Sequence, residues 1–362
     1  MDGLAVFQVV AGLALLVVGG ELLVRGASAL AVRAGISPLV VGLTVVSVAT
    51  SAPELAVTTG AVFSGESELA IGNVVGSNIA NILLILGIAA LVTPIYIRRQ
   101  LVRVDVPFLI GFSLLLLLLV LDGDISTGDG LILLGAWLGH TAMSVWLSKR
   151  GDPPPVDEGE VSTNISLPMS LVLVAGGVGL LVGGAQLLVA GAVSIAIGLG
   201  ISSLVVGLTV VAVGTSLPEL VASIIAVKRN AGDLAVGNAV GSCLANIGLV
   251  LGVPAILKPG GLPVPSAVVS VDLPLMVATT VALLPVVYTG GRIARREGLL
   301  FFSLYISYTV YVVVDAAGHD SQEGFSVIMV AFVLPLVGLS LLILAERERR
   351  VRHRQKRAAP GD

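Results

Sequence analysis

Long apolar runs separated by short polar breaks dominate the chain. Stretches long enough to cross a bilayer as helices, roughly 17–25 residues, fall near residues 4–24, 38–63, 69–92, 104–121, 129–147, 167–189, 204–227, 234–257, 267–288, 298–314 and 325–345. The pattern predicts eleven transmembrane helices. The longest polar interruption, 148–166, contains Asp152-Pro153-Pro154-Pro155 and an acidic stretch, and reads as a linker. Residues 346–362 form a basic polar tail. The first apolar run has no basic leader and no small-residue cleavage site before Glu21, so it reads as a first span rather than a removed signal peptide.

Composition agrees. Of 362 residues, 56% are hydrophobic and 12% charged, about half the charged fraction of a soluble domain. A water-soluble core of this size could not hide so much apolar side chain, so the bilayer is the expected solvent. A net charge of −3 gives no basic field for nucleic acid, and the one cysteine, Cys243, excludes an internal disulfide. Basic residues then orient the spans. Nineteen of the 20 lie in connections that follow odd-numbered helices or in the tail; Lys258 is the exception. The positive-inside rule predicts a multi-pass plasma (cytoplasmic) membrane protein with its N-terminus outside and C-terminus cytoplasmic.

The two halves repeat at an offset of 165. Ile36 to Glu54 matches Ile201 to Glu219 at 15 of 19 positions, and Leu69 to Asn81 matches Leu234 to Asn246 at 9 of 13. Further on, Val104-Asp105-Val106-Pro107 resembles Val271-Asp272-Leu273-Pro274 with a two-residue shift. Five spans per copy is an odd number, so the second copy must enter the membrane from the opposite face. The predicted fold class is an all-α integral membrane protein of two inverted five-helix repeats, ten core helices, plus one extra C-terminal helix. The expected divisions are 1–147 (helices one to five), a cytoplasmic linker 148–166, 167–316 (helices six to ten), the extra helix within 317–345, and the tail 346–362. Inverted repeats suit secondary transporters with midplane sites.

The repeated segments carry the deeply placed carboxylates, Glu54 in helix two and Glu219 in helix seven. A charge at the bilayer centre costs at least about 3 kcal/mol on the lenient scale, and two close together repel. No Lys or Arg lies at comparable depth, so a bound cation is the natural counter-charge. Neutral oxygens surround the pair. Helix two carries Ser47, Thr50, Ser51 and Glu54 on one face, and helix seven has Ala212, Thr215, Ser216 and Glu219 in the same places. Helices three and eight carry Asn73, Ser77, Asn81 and Asn238, Ser242, Asn246 at four-residue intervals. Pro53 and Pro218 remove amide donors and free carbonyls one turn back. Carboxylate, hydroxyl and carbonyl oxygens suit hard cations such as calcium; without a His or Cys cluster, zinc and copper do not fit.

Thr50-Ser51-Ala52-Pro53-Glu54 and Thr215-Ser216-Leu217-Pro218-Glu219, with Gly72-Asn73, Gly76-Ser77 and Asn81 and their counterparts Gly237-Asn238, Gly241-Ser242 and Asn246, resemble the sodium/calcium exchanger family, prokaryotic type, of the cation/calcium exchanger superfamily. The resemblance covers the ten repeated spans. It implies calcium on Glu54, Glu219 and the carbonyls of Thr50 and Thr215. It implies sodium on the same glutamates with Ser51, Ser77, Ser216, Ser242 and the carbonyls of Ser47 and Ala212. Asn81 and Asn246 would complete a central site. Helices one and six would slide against this core to open it alternately to each side. Asn246 stands where some members have aspartate, which lowers the site's negative charge by one.

The resulting expectation is a sodium-for-calcium antiporter, not an enzyme, with calcium and sodium as transported ions, no cofactor, membrane lipid around it, and no nucleic-acid or obligatory protein partner. Proton/calcium exchange and, further off, a passive cation channel are the alternatives. Four residue-level expectations accompany it. Glu21 pairs locally with Arg25; Asp105 and Asp272 cap helices four and nine; His140 is a packing residue; Asn73 and Asn238 bridge helices.

Overall fold

The structure, a computed structural model, describes residues 3–150, 165–199, 212–266, 268–316 and 338. Helices account for nearly all of it. They are α1 (Gly3–Ala34), α2 (Pro38–Thr50 with Ala52–Phe63), α3 (Ser67–Val92), α4 (Leu101–Asp122), α5 (Thr127–Arg150), α6 (Leu167–Gly198), α7 (Ala212–Thr215 with Leu217–Lys228), α8 (Gly232–Leu257), α9 (Val268–Tyr288) and α10 (Arg295–Ala316). Seven are long and apolar enough to cross a membrane, or eight if the bent α2 counts as one span. The expected eleventh helix, the linker, the tail and the start of α7 lie outside the described residues.

Two helices run past their sequence boundaries. α1 continues to Ala34, where Gly35 at φ +64 ends it, and α6 continues to Gly198. The α6 extension is apolar and small-residue rich and offers hydropathy no polar break, whereas that of α1 carries Arg25 and Arg33, which end the apolar run while its alanines keep the helix going. α1 and α6 pack antiparallel along their length through small residues spaced by seven. A Cβ on Gly12 would stand 2.7 Å from the Gly184 carbonyl, one on Gly19 2.7 Å from that of Gly177, and one on Gly191 2.6 Å from that of Ala5. The outer face of α1 shows Leu4, Phe7, Val10, Leu13 and Val17, as a lipid-facing helix would. α3 and α8, by contrast, are the most enclosed helices.

Short strands tie the connections together: β1 (Ile95–Tyr96) pairs antiparallel with β4 (Arg292–Ile293), and β2 (Asp124–Ile125) with β3 (Leu262–Pro263). Each ladder joins the two halves. Contacts between connections fall into two sets. One gathers the ends that follow odd-numbered helices: β1 with β4, Arg98 with Asp233, Ser37 N–H to Ser148 Oγ at 2.7 Å, Arg33 to the Ile165 carbonyl at 3.0 Å, and Arg295 to the Val92 carbonyl at 3.3 Å. The other gathers even ones: β2 with β3, and Lys258 to Ser67 Oγ at 3.4 Å. Such a partition is what a chain crossing a slab would produce.

Two expectations change. Glu21 pairs not with Arg25 but with Arg229 at the end of α7, at 2.5 Å; the tertiary partner outcompetes the residue one turn away. Asp105 does not cap α4. It is buried within a wide π-type turn, Leu101–Asp105, and accepts from Ser144 Oγ at 3.2 Å, with His140 Nε2 at 3.1 Å. His140, stacked on Phe108, is thus a partner for a buried carboxylate as well as a packing residue. Asp272 likewise makes no side-chain cap.

The α1–α6 contact leaves no room for a side chain. Gly19→Leu is expected to lower stability by about 1–3 kcal/mol, read as a lower thermal midpoint of the purified protein; Gly3→Leu, with open space around it, should leave it unchanged.

Candidate cation site

The centre of the fold is where α2, α3, α7 and α8 meet. Each of α2 and α7 breaks at the repeated Thr-Ser pair. Ser51 has φ −80, ψ 9 and Ser216 has φ −88, ψ 4, after which the helix restarts with proline in its first turn. The two parts of α2 are bent by 47°. Pro53 and Pro218 explain the location: each removes a donor and crowds the preceding turn. Glu54 and Glu219 therefore sit in the first turns of the restarted helices. Both are buried, and close enough to repel one another.

α2 reaches α8 through glycines. A Cβ on Gly237 would lie 2.4 Å from the Leu39 carbonyl, and one on Gly241 2.7 Å from that of Leu43. Only glycine permits that approach, which brings Thr50 against Asn238: its Oγ1 donates to Asn238 Oδ1 at 3.2 Å. Ser51 Oγ donates to Glu219 Oε1 at 3.4 Å, joining α2 to α7.

Asn73 and Asn238 form matching clamps. Asn73 Nδ2 donates to Thr58 Oγ1 at 3.0 Å and the Glu54 carbonyl at 3.4 Å. Asn238 Nδ2 donates to Ser223 Oγ at 3.2 Å and the Glu219 carbonyl at 3.3 Å. Each asparagine thus bridges two helices and fixes the backbone of the adjoining glutamate, as expected for these positions.

What remains around the carboxylates is a set of oxygens without partners. Glu54 Oε2, Glu219 Oε2, Ser216 Oγ, Ser242 Oγ, Asn81 Oδ1 and Asn246 Oδ1 are all buried and make no hydrogen bond among the described residues. Leaving one buried polar atom unpaired typically costs about 1–3 kcal/mol. Six such oxygens come from all four central helices, and carboxylate, hydroxyl and amide oxygens are the chemistry that hard cations take. No group of three or more His, Cys, Asp or Glu occurs among the described residues, so the set is mostly neutral oxygen.

The other expected members differ. Ser77 is buried on α3 beside this set in sequence, and Thr215 is half-buried immediately before the α7 break. Ser47 Oγ bonds back to the Leu43 carbonyl at 2.9 Å, and the Ser47 carbonyl already accepts from Ser51 N–H at 2.9 Å and Thr50 Oγ1 at 3.3 Å. Ala212 opens the described part of α7, its side chain outside the described residues. Two features escaped the sequence reading. Asn81 and Asn246 each open a π-type turn, Asn81–Ile85 and Asn246–Leu251, a widening often found at functional sites. Asn78 is buried against Asn246; its signal was the one polar asymmetry in the second motif, Cys243 standing in its place.

Asn238 serves Thr50, Ser223 and Glu219 at once. Asn238→Ala is expected to cost about 1–3 kcal/mol of stability and more than Asn73→Ala, which loses two contacts; thermal unfolding of both variants checks the order.

Known proteins are similar to this chain in sequence and fold. The sodium/calcium exchanger protein family matches residues 4–146 and 169–314. The CaxA protein of Alkalimonas amylolytica is 38% identical, over 84% of this chain and 97% of the relative. The sodium/calcium exchanger MaX1 of Methanosarcina acetivorans is 30% identical, over 83% and 95%. A solved structure of the sodium-calcium exchanger NCX_Mj superposes with a TM-score of 0.74 at 33% identity, covering 84% of this chain and 98% of that one. With a family match across both halves and a shared fold, this chain is a multi-pass membrane protein that belongs to the sodium/calcium exchanger family.

Proposed function

We propose that the chain is a secondary antiporter exchanging sodium for calcium by alternating access, with Glu54 and Glu219 as shared ligands of both ions. The unpartnered buried oxygens on α2, α3, α7 and α8 carry this reading. Calcium takes six to eight oxygens in flexible geometry, and it would draw on both carboxylates, the neutral oxygens and the carbonyls freed at the Thr-Ser breaks. Sodium on Ser51, Ser77, Ser216 or Ser242 would use the same glutamates. Because the carboxylates are shared, one ion excludes the other, and that competition couples their movements.

The architecture suits the role. Residues 1–147 and 167–316 form two inverted five-helix units in this reading, joined by 148–166 and followed by the extra helix and basic tail. Three features support it: the 165-residue offset, the matching breaks at Ser51 and Ser216, and the matching clamps at Asn73 and Asn238. α1 and α6 pack chiefly on each other and only at their margins on the central four helices, so they could move as a body across the site. The arginine-bearing face, with β1 and β4, would lie in the cytoplasm of a plasma membrane. Relatives named as sodium/calcium exchangers support the choice of ions.

Sodium-gradient-driven calcium uptake into proteoliposomes at clamped pH tests the reading. Uptake should follow the sodium gradient, and Glu54→Gln or Glu219→Gln should reduce it by more than about tenfold. Equal uptake driven by a pH gradient without sodium would assign protons as the counter-ion. Parent-like uptake in both variants would refute the site.

A further inference from the structure

We propose that Asn78 is a positioning residue that sets the polarity of the Asn246 amide, so that its oxygen and not its NH2 group faces the glutamates. The proposal rests on the reading of Asn246 as a cation ligand. Asn78 is fully buried on α3, three residues before Asn81. Its Oδ1 accepts from Asn246 Nδ2 at 3.4 Å, while its own Nδ2 donates to Met276 Sδ on α9 at 3.3 Å.

The Met276 contact gives the chain its direction. A thioether sulfur can only accept, so it takes the NH2 end of Asn78 and leaves the Asn78 oxygen toward Asn246. That oxygen in turn takes the NH2 end of Asn246. Asn246 Oδ1 is then the end left buried without a partner. The two ends of an amide are nearly the same size, so packing alone would not choose between them. A reversed Asn246 would remove one oxygen from the site and aim two N–H donors at a cation.

The relay exists in one half only. The 165-residue offset carries Asn78 to Cys243, whose thiol donates to the Asn78 backbone carbonyl at 3.6 Å. The offset of 167 that relates Asp105 to Asp272 carries Met276 back to Leu109, which has no acceptor. Asn81, the counterpart of Asn246, makes no side-chain hydrogen bond among the described residues. The two asparagines are therefore unequal: Asn246 is a pre-oriented oxygen and Asn81 is not.

A carboxylate has oxygen at both ends and no polarity to set, which separates orientation from general packing. The test is the calcium concentration giving half-maximal sodium-driven uptake in proteoliposomes, compared in four proteins and an Asn246→Ala control. In the parent background Asn78→Leu should raise it about three- to tenfold. In the Asn246→Asp background the same Asn78→Leu should produce no rise. An equal rise in both backgrounds, or none in the parent, would overturn the proposal and reduce Asn78 to a packing residue. If Asn246→Ala itself leaves half-saturation unchanged, the ligand reading of Asn246 fails, and the proposal with it. Circular dichroism and thermal midpoints of each purified variant identify a folding defect, and Asn78→Ala, which also removes the amide, then replaces Asn78→Leu, with the same pair of backgrounds and the same two outcomes.

Discussion

Two carboxylates enclosed together in an apolar interior cannot both remain charged unless something positive stands between them. Glu54 and Glu219 are buried in this way, with no lysine or arginine hydrogen-bonded to them among the described residues. The rest of the central structure can be understood as the means of tolerating it. Breaks at Ser51 and Ser216 set each glutamate at a helix start, where partial positive charge from free amides favours an anion. Clamps at Asn73 and Asn238 fix the backbone beneath each one. Ser216, Ser242, Asn81 and Asn246 add oxygens without a hydrogen-bond partner among the described residues.

The surroundings divide into two sets of contacts. α3 and α8 are held by backbone-to-backbone approach, by polar bridges and by the two strand ladders. α1 and α6 meet each other along a glycine seam at backbone distance and make far fewer contacts with α2 and α7. Glu21 and Arg229 cross that boundary, and both are partly exposed. An exposed ion pair contributes little, about 0–1 kcal/mol, so it can break and re-form without a large barrier.

Much of this was legible in the residues. Hydropathy placed the helices that lie within the described residues, and the 165-residue repeat singled out Glu54, Glu219 and their neighbours, because a polar group in lipid is costly enough to stand out. Asn73 and Asn238 were readable as bridges for the same reason. Proline marked the breaks at Ser51 and Ser216, although the exact bend was not readable. What stayed hidden depends on tertiary choice. Glu21 had a plausible local partner in Arg25 and took a distant one. Asp105 looked like a cap and proved to be buried with His140 and Ser144, since only the packing of α4 on α5 brings them together. The wide turns at Asn81 and Asn246 have no residue signature. The orientation of Asn246 depends on Met276, about 30 residues away in sequence and on another helix.

If the two glutamates share one cation, sodium and calcium compete for them. Equilibrium binding of radioactive calcium to the purified protein addresses this without requiring transport. Binding should be saturable and displaced by added sodium, and should be lost when Glu54 and Glu219 are both replaced by glutamine. Calcium binding that is indifferent to sodium, or that survives in the doubly substituted protein, would contradict it.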